Sequence, residues 1–265
     1  MIIDGQCYTQ YMGTVLITGG SEGIGLELAK LYAADGNELI LCARDTVKLQ
    51  EAKHEVQQLW HVRCETISLD LSERNAAKSL YDKVKDRQIS TLINNAGIGF
   101  TGKSWEIPLE AEETMVRLND ETLMSLTKLF LNDFIERGEG TIVNVASTGA
   151  FQPGPYIAGY YASKAFVLNY TKALAEETRG TGVHVCCLCP GPVDTHFYMK
   201  SGGRKPRFVM NAEKTARIAY EKIQKGKAVI VPGWINNLVR VLPLSIRIAY
   251  VKKTKLKNLN RKTKR

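Results

Sequence analysis

Three side chains near the middle of the chain are spaced for proton chemistry. Ser147 closes an apolar run, Thr141-Ile-Val-Asn-Val-Ala-Ser147; Tyr160 follows thirteen residues later, and Lys164 four beyond it. Residues four apart on a helix share a face one turn apart, so Lys164 can stand beside the Tyr160 ring. A phenol with a pKa near 10 is a poor proton shuttle at neutral pH. Lowering it by about 3 units takes roughly 4 kcal/mol of preferential phenolate stabilisation, part of which an ammonium one turn away supplies. Tyr161 competes for the same role, but it is three residues from Lys164 and about 100° round the helix from Tyr160. A hydroxyl at the strand end, Ser147, can hydrogen-bond a substrate oxygen. Each residue alone is ordinary; the three together point to an acid–base site.

A second constellation lies near the amino terminus. Thr18-Gly19-Gly20-Ser21-Glu22-Gly23-Ile24-Gly25 separates the strand-like Gly13–Thr18 from a helical stretch, Gly23 to Asp35, closed by Gly36. Glycines there allow a tight turn and let the backbone approach a pyrophosphate at the positive end of the helix.

These residues must be positioned by regular elements, and the pattern is an alternation. Strands are expected at Glu38–Ala43, Cys64–Leu69, Ser90–Asn94, Gly140–Ala146, Val183–Leu188 and Ala228–Val231. Helices are expected at Val47–Trp60, Glu73–Lys85, about Glu112–Arg137, Tyr160–Arg179 and Ala212–Lys225, the last capped by Asn211. Strands and helices alternating at this period predict an α/β fold: a doubly wound parallel sheet with helices on both faces, in a single domain. Ligands bind such sheets beyond the carboxyl ends of the strands, where the strand order switches.

Taken with Asn94-Asn95-Ala96-Gly97 and Pro190-Gly191-Pro192-Val193-Asp194-Thr195, the glycine loop and the Ser147–Tyr160–Lys164 set resemble the short-chain dehydrogenase/reductase family over residues 13–231. The resemblance implies a Rossmann-type domain that moves hydride between NAD(P)(H) and a carbonyl or alcohol carbon. It assigns Tyr160 as acid/base, Ser147 as the group orienting the carbonyl, Lys164 to ribose binding and pKa tuning, and Asn119 to proton-relay support. Oxidised nicotinamide would be the second positive charge favouring a Tyr160 phenolate. Cofactor contacts fall on Gly19, Ser21, Glu22, Gly23, Ile24, Arg44, Asp70, Leu71, Asn95, Ala96, Gly97, Tyr160, Lys164, Pro190, Gly191, Val193 and Thr195.

The end of the second strand discriminates between cofactors. An acid there holds the ribose hydroxyls of NAD, but here Ala43 is followed by Arg44, whose guanidinium can clamp a 2′-phosphate. Asp45 is next, with helix capping as its alternative role, and Ser21 and Glu22 leave the family's second basic position unfilled. NADP(H) is therefore expected over NAD(H). The alternative function is a non-catalytic NADP(H)-binding sensor or scaffold.

Composition sets the bounds. The 265 residues, 44% hydrophobic and 24% charged, are those of an ordinary globular protein. No apolar run approaches the roughly 20 residues of a membrane span, and Met1–Gly13 lacks the basic and apolar regions of a secretory signal. A cytoplasmic protein is expected. Four of the six cysteines, Cys42, Cys186, Cys187 and Cys189, fall in apolar strand-like runs, with Cys7 and Cys64 outside them. No second Cys or His pair accompanies Cys187 and Cys189 at ligand spacing, so buried thiols are expected and no metal site.

The net charge of +9 is uneven: residues 1–221 carry −4 and the last 44 carry +13. Besides a twelve-residue amino-terminal extension, the chain divides at 231 into the nucleotide-binding domain and an apolar segment, 232–251, with a basic tail. Asn236, Arg240 and Arg247 fall near one helical face of that segment, and Pro243 interrupts it. Either the segment and tail contact an anionic membrane peripherally, or they form a pocket or subunit contact followed by a disordered end. Nucleic acid is not expected as a partner, and a homodimer or homotetramer is. Phe151, Pro153, Pro155, Tyr156, Ile157, His196, Phe197, Tyr198, Met199, Phe208 and Met210 suggest a hydrophobic substrate of steroid or fatty-acyl type. Arg204, Lys205 and Arg207 could meet an anionic group on it or form a solvated loop.

Overall fold

A computed structural model describes residues 13–202 and 209–262. Strands β1 (Thr14–Thr18), β2 (Glu38–Ala43), β3 (Cys64–Ser68), β4 (Ile89–Asn94), β5 (Gly140–Val145) and β6 (Val183–Leu188) alternate with helices α1 (Gly23–Ala34), α2 (Thr46–Trp60), α3 (Ala76–Val84), α4 (Leu109–Val116), α5 (Leu123–Arg137) and α6 (Ala158–Glu177). The short β7 (Val193–Asp194), α7 (Phe197–Lys200) and β8 (Met210–Asn211) precede α8 (Ala212–Gln224) and β9 (Val229–Ile230). Helices α9 (Trp234–Arg240) and α10 (Leu244–Lys262) close the described chain.

Seven strands form one parallel sheet in the order β3-β2-β1-β4-β5-β6-β9. Successive strand residues point to opposite faces, so Val15 and Ile17 join one apolar cluster with α1, α2 and α8. Leu16 joins the other, with α3, α5 and α6. Both faces are buried, which is why the strands read as continuous apolar runs rather than alternating ones. The fold is the doubly wound, Rossmann-type sheet that the alternation predicts. Its strand order reverses between β1 and β4, and the loops after those strands frame the crevice.

Two boundaries differ from the sequence reading. Helix α3 starts three residues later than Glu73, because Asn75 at its cap is left-handed, with φ +60°. The stretch expected as one helix from Glu112 begins at Leu109 and contains a π-helical turn, Arg117–Thr122, between α4 and α5. Beyond Pro243 the basic segment is not a disordered end: α10 runs to Lys262. Residues 1–12, with Cys7, and Arg204, Lys205, Arg207 and Phe208 lie outside the described residues, as do 263–265.

Candidate active site

Beyond the carboxyl ends of β1 and β4 lies a cleft of about 440 Å³, within the range of ligand sites. Its framework is polar and buried. Asn94 Nδ2 donates to Asn144 Oδ1 at 2.9 Å and to Thr127 Oγ1 at 3.1 Å, and Asn144 Nδ2 donates to Thr171 Oγ1 at 3.1 Å. One network thus joins β4, β5, α5 and α6 through the core. One residue on, Asn95 Nδ2 donates to Thr18 O and Gly19 O at 3.1 and 3.0 Å, tying the loop after β4 to the glycine loop.

That glycine loop tolerates little. Gly19 has φ +64°, and a Cβ on Gly25 would run into Gly19 O. The amino terminus of α1 carries no side-chain cap, so its first amides retain capacity for a phosphate oxygen. Every residue expected to touch cofactor lines the cleft: Gly19, Ser21, Glu22, Gly23, Ile24, Arg44, Asp70, Leu71, Asn95, Ala96, Gly97, Tyr160, Lys164, Pro190, Gly191, Val193 and Thr195.

At the β2 end the groups are exposed and charged. Arg44 Nη1 stands 3.8 Å from Asp70 Oδ2, and Lys48 Nζ lies 2.6 Å from Glu22 Oε2, which also meets His196 Nδ1 at 2.9 Å. Burial pushes the Asp70 carboxyl up, but hydrogen bonds from Ser72 and the Arg44 charge outweigh it, leaving its pKa below the usual value. Asp45 is the cap of α2, its Oδ1 accepting from Lys48 N at 3.1 Å. Lys48 was not picked out from the sequence; it stands one turn along α2 from the residue that follows β2.

At the β5 end Lys164 is buried and Ser147 and Tyr160 are half-buried. Ser147 and Tyr160 line the same wall of the cleft, and Ser147 Oγ accepts from Gly149 N at 3.1 Å. Lys164 Nζ donates to Val145 O at 2.9 Å and lies 5.9 Å from the Tyr160 ring centroid. Burial raises the Tyr160 pKa against the opposing influence of the Ser147 hydroxyl, and lowers that of Lys164 to about 8. Tyr161 is wedged between Gly149 and Gly154, a packing position, although it also borders the cleft.

Asn119 does not line the cleft but stands behind it, fully buried in the π-helical turn. Its side chain pairs with the Ile98 backbone in both directions, accepting from N at 3.0 Å and donating to O at 2.8 Å, and it donates to Ser163 Oγ at 3.1 Å. A Cβ on Gly97 would sit 3.2 Å from Asn119 Oδ1 and 3.3 Å from Lys164 Nζ, filling the space before both. A Cβ on Gly99 would meet the Tyr160 ring at 2.6 Å. Gly99, like Ile98, carried no signal beyond its proximity to Asn95-Ala96-Gly97.

On the substrate side Ile157, Tyr161, His196, Phe197, Ser201 and Lys255 line the cleft. Met199 is exposed. The expected polar face of the last segment turns inward: the Arg240 guanidinium covers the Phe151 ring at 4.0 Å, and Arg247 Nη1 donates to Phe151 O at 3.0 Å. Its apolar face, with Trp234, Leu238, Val241, Ile246 and Tyr250, is exposed.

The family model for short chain dehydrogenases matches residues 13–205. The chain is 36% identical to sulfoacetaldehyde reductase 2 of Chromohalobacter salexigens over 194 residues, covering 71% of this chain and 76% of that protein. It is 30% identical to the very-long-chain 3-oxoacyl-CoA reductase of Rattus norvegicus over 262 residues, 91% of this chain and 82% of that one. A short-chain dehydrogenase from Sphingobium yanoikuyae, solved in complex with NADPH, superposes with a TM-score of 0.81 at 29% identity, covering 84% of this chain and 89% of that one. With the sheet order, the glycine loop and the Tyr160–Lys164 pair in place, these likenesses place the chain among the short-chain dehydrogenases/reductases, oxidoreductases that act on CH–OH or C=O groups with a nicotinamide dinucleotide.

Proposed function

We propose that the protein is an NADPH-preferring carbonyl reductase with an apolar substrate skeleton. The observation that carries this is the convergence of Ser147, Tyr160 and Lys164 on one wall of the cleft, with Asn119 behind it. Bound NADP(H) supplies or takes up hydride. The amides at the start of α1, with Gly19 to Ile24, would hold its pyrophosphate; Asp70 and Leu71 its adenine; and Asn95 to Gly97, Pro190, Gly191, Val193 and Thr195 its nicotinamide half. Tyr160, kept neutral by burial, is the proton donor to the substrate oxygen. Ser147 Oγ accepts the Gly149 amide and orients that oxygen with its own hydrogen. Lys164, fixed on Val145 O, places a positive charge beside the phenol and holds the ribose. Asn119 fastens the Ile98 backbone and so shapes the floor under both.

NADPH preference rests on Arg44 and Lys48, two cations at the end of β2, and on Asp45 being engaged as a helix cap. Turnover of NADPH and NADH against a panel of hydrophobic ketones tests the reading. Faster NADPH turnover supports it; equal rates refute the cofactor preference, and no turnover with any ketone favours the sensor or scaffold.

The exposed apolar side of α9 and α10, beside the exposed Lys252, Lys253 and Lys257, supports peripheral docking on anionic membranes. No described helix is long and apolar enough to cross a membrane. Sedimentation with phosphatidylserine vesicles should be strong at low salt and fall as salt rises. Self-association as a homodimer or homotetramer is proposed through the exposed Val116, Met124 and Phe166, to be read by light scattering. If the vesicles do not bind the protein, membrane docking is refuted and the α9–α10 face becomes a second candidate subunit contact.

A further inference from the structure

Along α10, Arg247, Val251 and Lys255 recur every four residues and share one face. Arg247 Nη1 donates to Phe151 O at 3.0 Å and to Gln152 Oε1 at 3.3 Å, and Val251 is buried. This is therefore the side of the helix turned toward the body. Lys255 lies about 12 Å further along the axis than Arg247, and there it borders the same cleft as Ser147, Tyr160, Phe197 and Ser201.

The other long cations of the cleft are engaged. Arg44 faces Asp70, Lys48 pairs with Glu22, and Lys164 donates to Val145 O. The Lys255 ammonium makes no hydrogen bond or ion pair with any described residue. The carboxylates lining the cleft, Glu22, Asp45 and Asp70, already hold partners near β1 to β3. Helix α10 contains no acid, and the last acidic residue of the chain is Glu221. A lysine on a helix surface ordinarily extends its ammonium to water. Here burial pushes the Lys255 pKa down, and an unpaired, partly desolvated ammonium costs free energy that a bound anion would offset.

We infer, within the carbonyl-reductase reading above, that the substrate carries an anionic group (carboxylate, sulfonate or phosphate) apart from its carbonyl, and that Lys255 binds it. The apolar lining from Ile157, Tyr161 and Phe197 takes the carbon skeleton. The substrate class is then an amphipathic oxo-anion rather than a neutral ketone, and the carboxyl-terminal helix is a wall of the site. Lys255 sets specificity without touching the reacting atoms.

The test compares medium-chain oxo-acids with their methyl esters, compounds that differ in charge at one end, using the full chain and NADPH. A charge-assisted hydrogen bond predicts a kcat/KM roughly 10- to 100-fold higher for the acid, carried mainly by KM. That preference should fall to about one in Lys255→Met and persist in Lys255→Arg. Equal kcat/KM for acid and ester in the unmodified enzyme overturns the inference while leaving the reductase reading standing, and needs no variant to fold. A binding arm is independent of turnover: with NADP(H) present, hexanoate should raise Tm more than hexanamide, and lose that advantage in Lys255→Met. Equal shifts overturn the anion site. Absence of turnover with both acid and ester refutes the reductase reading instead, and the binding arm still decides for or against the anion site. Oxo-alkyl sulfonates and phosphates, run beside the carboxylates, identify which anion is preferred.

Discussion

At the β5 end of the cleft, Asn119, Asn144, Thr127 and Lys164 are buried, and their polar atoms are committed to neighbours across three or four elements. At the β2 end, Arg44 is 62% exposed and its nearest carboxylate oxygen is 3.8 Å away. The same sheet edge therefore carries two kinds of site. One is a polar core in which chemistry and stability share side chains. The other is a surface cluster in which charges can be exchanged with little cost to the fold, because exposed pairs contribute little. Reaction type should be hard to change by substitution, and cofactor choice easy.

The largest expected effect is at the buried end. Tyr160→Phe should lower turnover roughly 10²- to 10⁴-fold while NADPH still binds, since only the proton donor is removed. If Tyr161→Phe is the inactive variant and Tyr160→Phe is active, the roles are reversed. Asn144→Ala should lose about 3 kcal/mol, because it removes the buried oxygen that accepts from both Asn94 Nδ2 and Thr127 Oγ1 and the amide that donates to Thr171 Oγ1. In a domain of this size that is a Tm lower by roughly 6–12 °C. An unchanged Tm would mean that the network is not structural.

Arg44→Ala sharpens the contrast from the exposed end. It should raise KM for NADPH by about 10- to 100-fold, change NADH far less, and leave Tm within about 2 °C. Equal losses for both cofactors would sink the phosphate clamp.

The smallest effect concerns Asp120, in the π-helical turn, whose Oδ1 is buried without a partner. Burial raises its pKa from 3.8 to about 6, against the opposing charge of Lys164. The native state thus holds this proton more tightly than the unfolded chain, so its ionisation costs stability above about pH 6 and nothing below about pH 4. Asp120→Asn should stabilise the protein at pH 7.5 by about 1–2 kcal/mol, with the gain gone at pH 4. A pH-independent gain would point to shape rather than charge.

The alternation of apolar strands and amphipathic helices predicted the sheet because both its faces are covered, and Glu38–Ala43 and Val183–Leu188 were placed to the residue. The spacing of Ser147, Tyr160 and Lys164 was legible because a strand end and one helical turn are local geometry. The π-helical turn was not. Its one sequence trace is the five-residue step from Leu118 to Leu123 across four polar residues, and what the turn accommodates, the pairing of Asn119 with Ile98, is a contact across 21 residues. Lys48 and Lys255 were missed for a related reason: each looks like a solvated helix lysine until the fold brings a loop or cleft against it. Which face of 232–251 turns to the body was not legible either, since Arg240 and Arg247 find partners at Phe151 and Gln152, far away in sequence.

Cys42, Cys64, Cys186, Cys187 and Cys189 all sit buried and unbridged in or just beyond the strands of the sheet. Burial raises the pKa of Cys42 to about 12 and of Cys64 to about 11. An enclosed thiol reacts with an alkylating reagent only when the structure around it opens. These five sulfurs are therefore a built-in clock for global unfolding: their labelling rate follows the population of the open sheet, whatever happens at the surface helices.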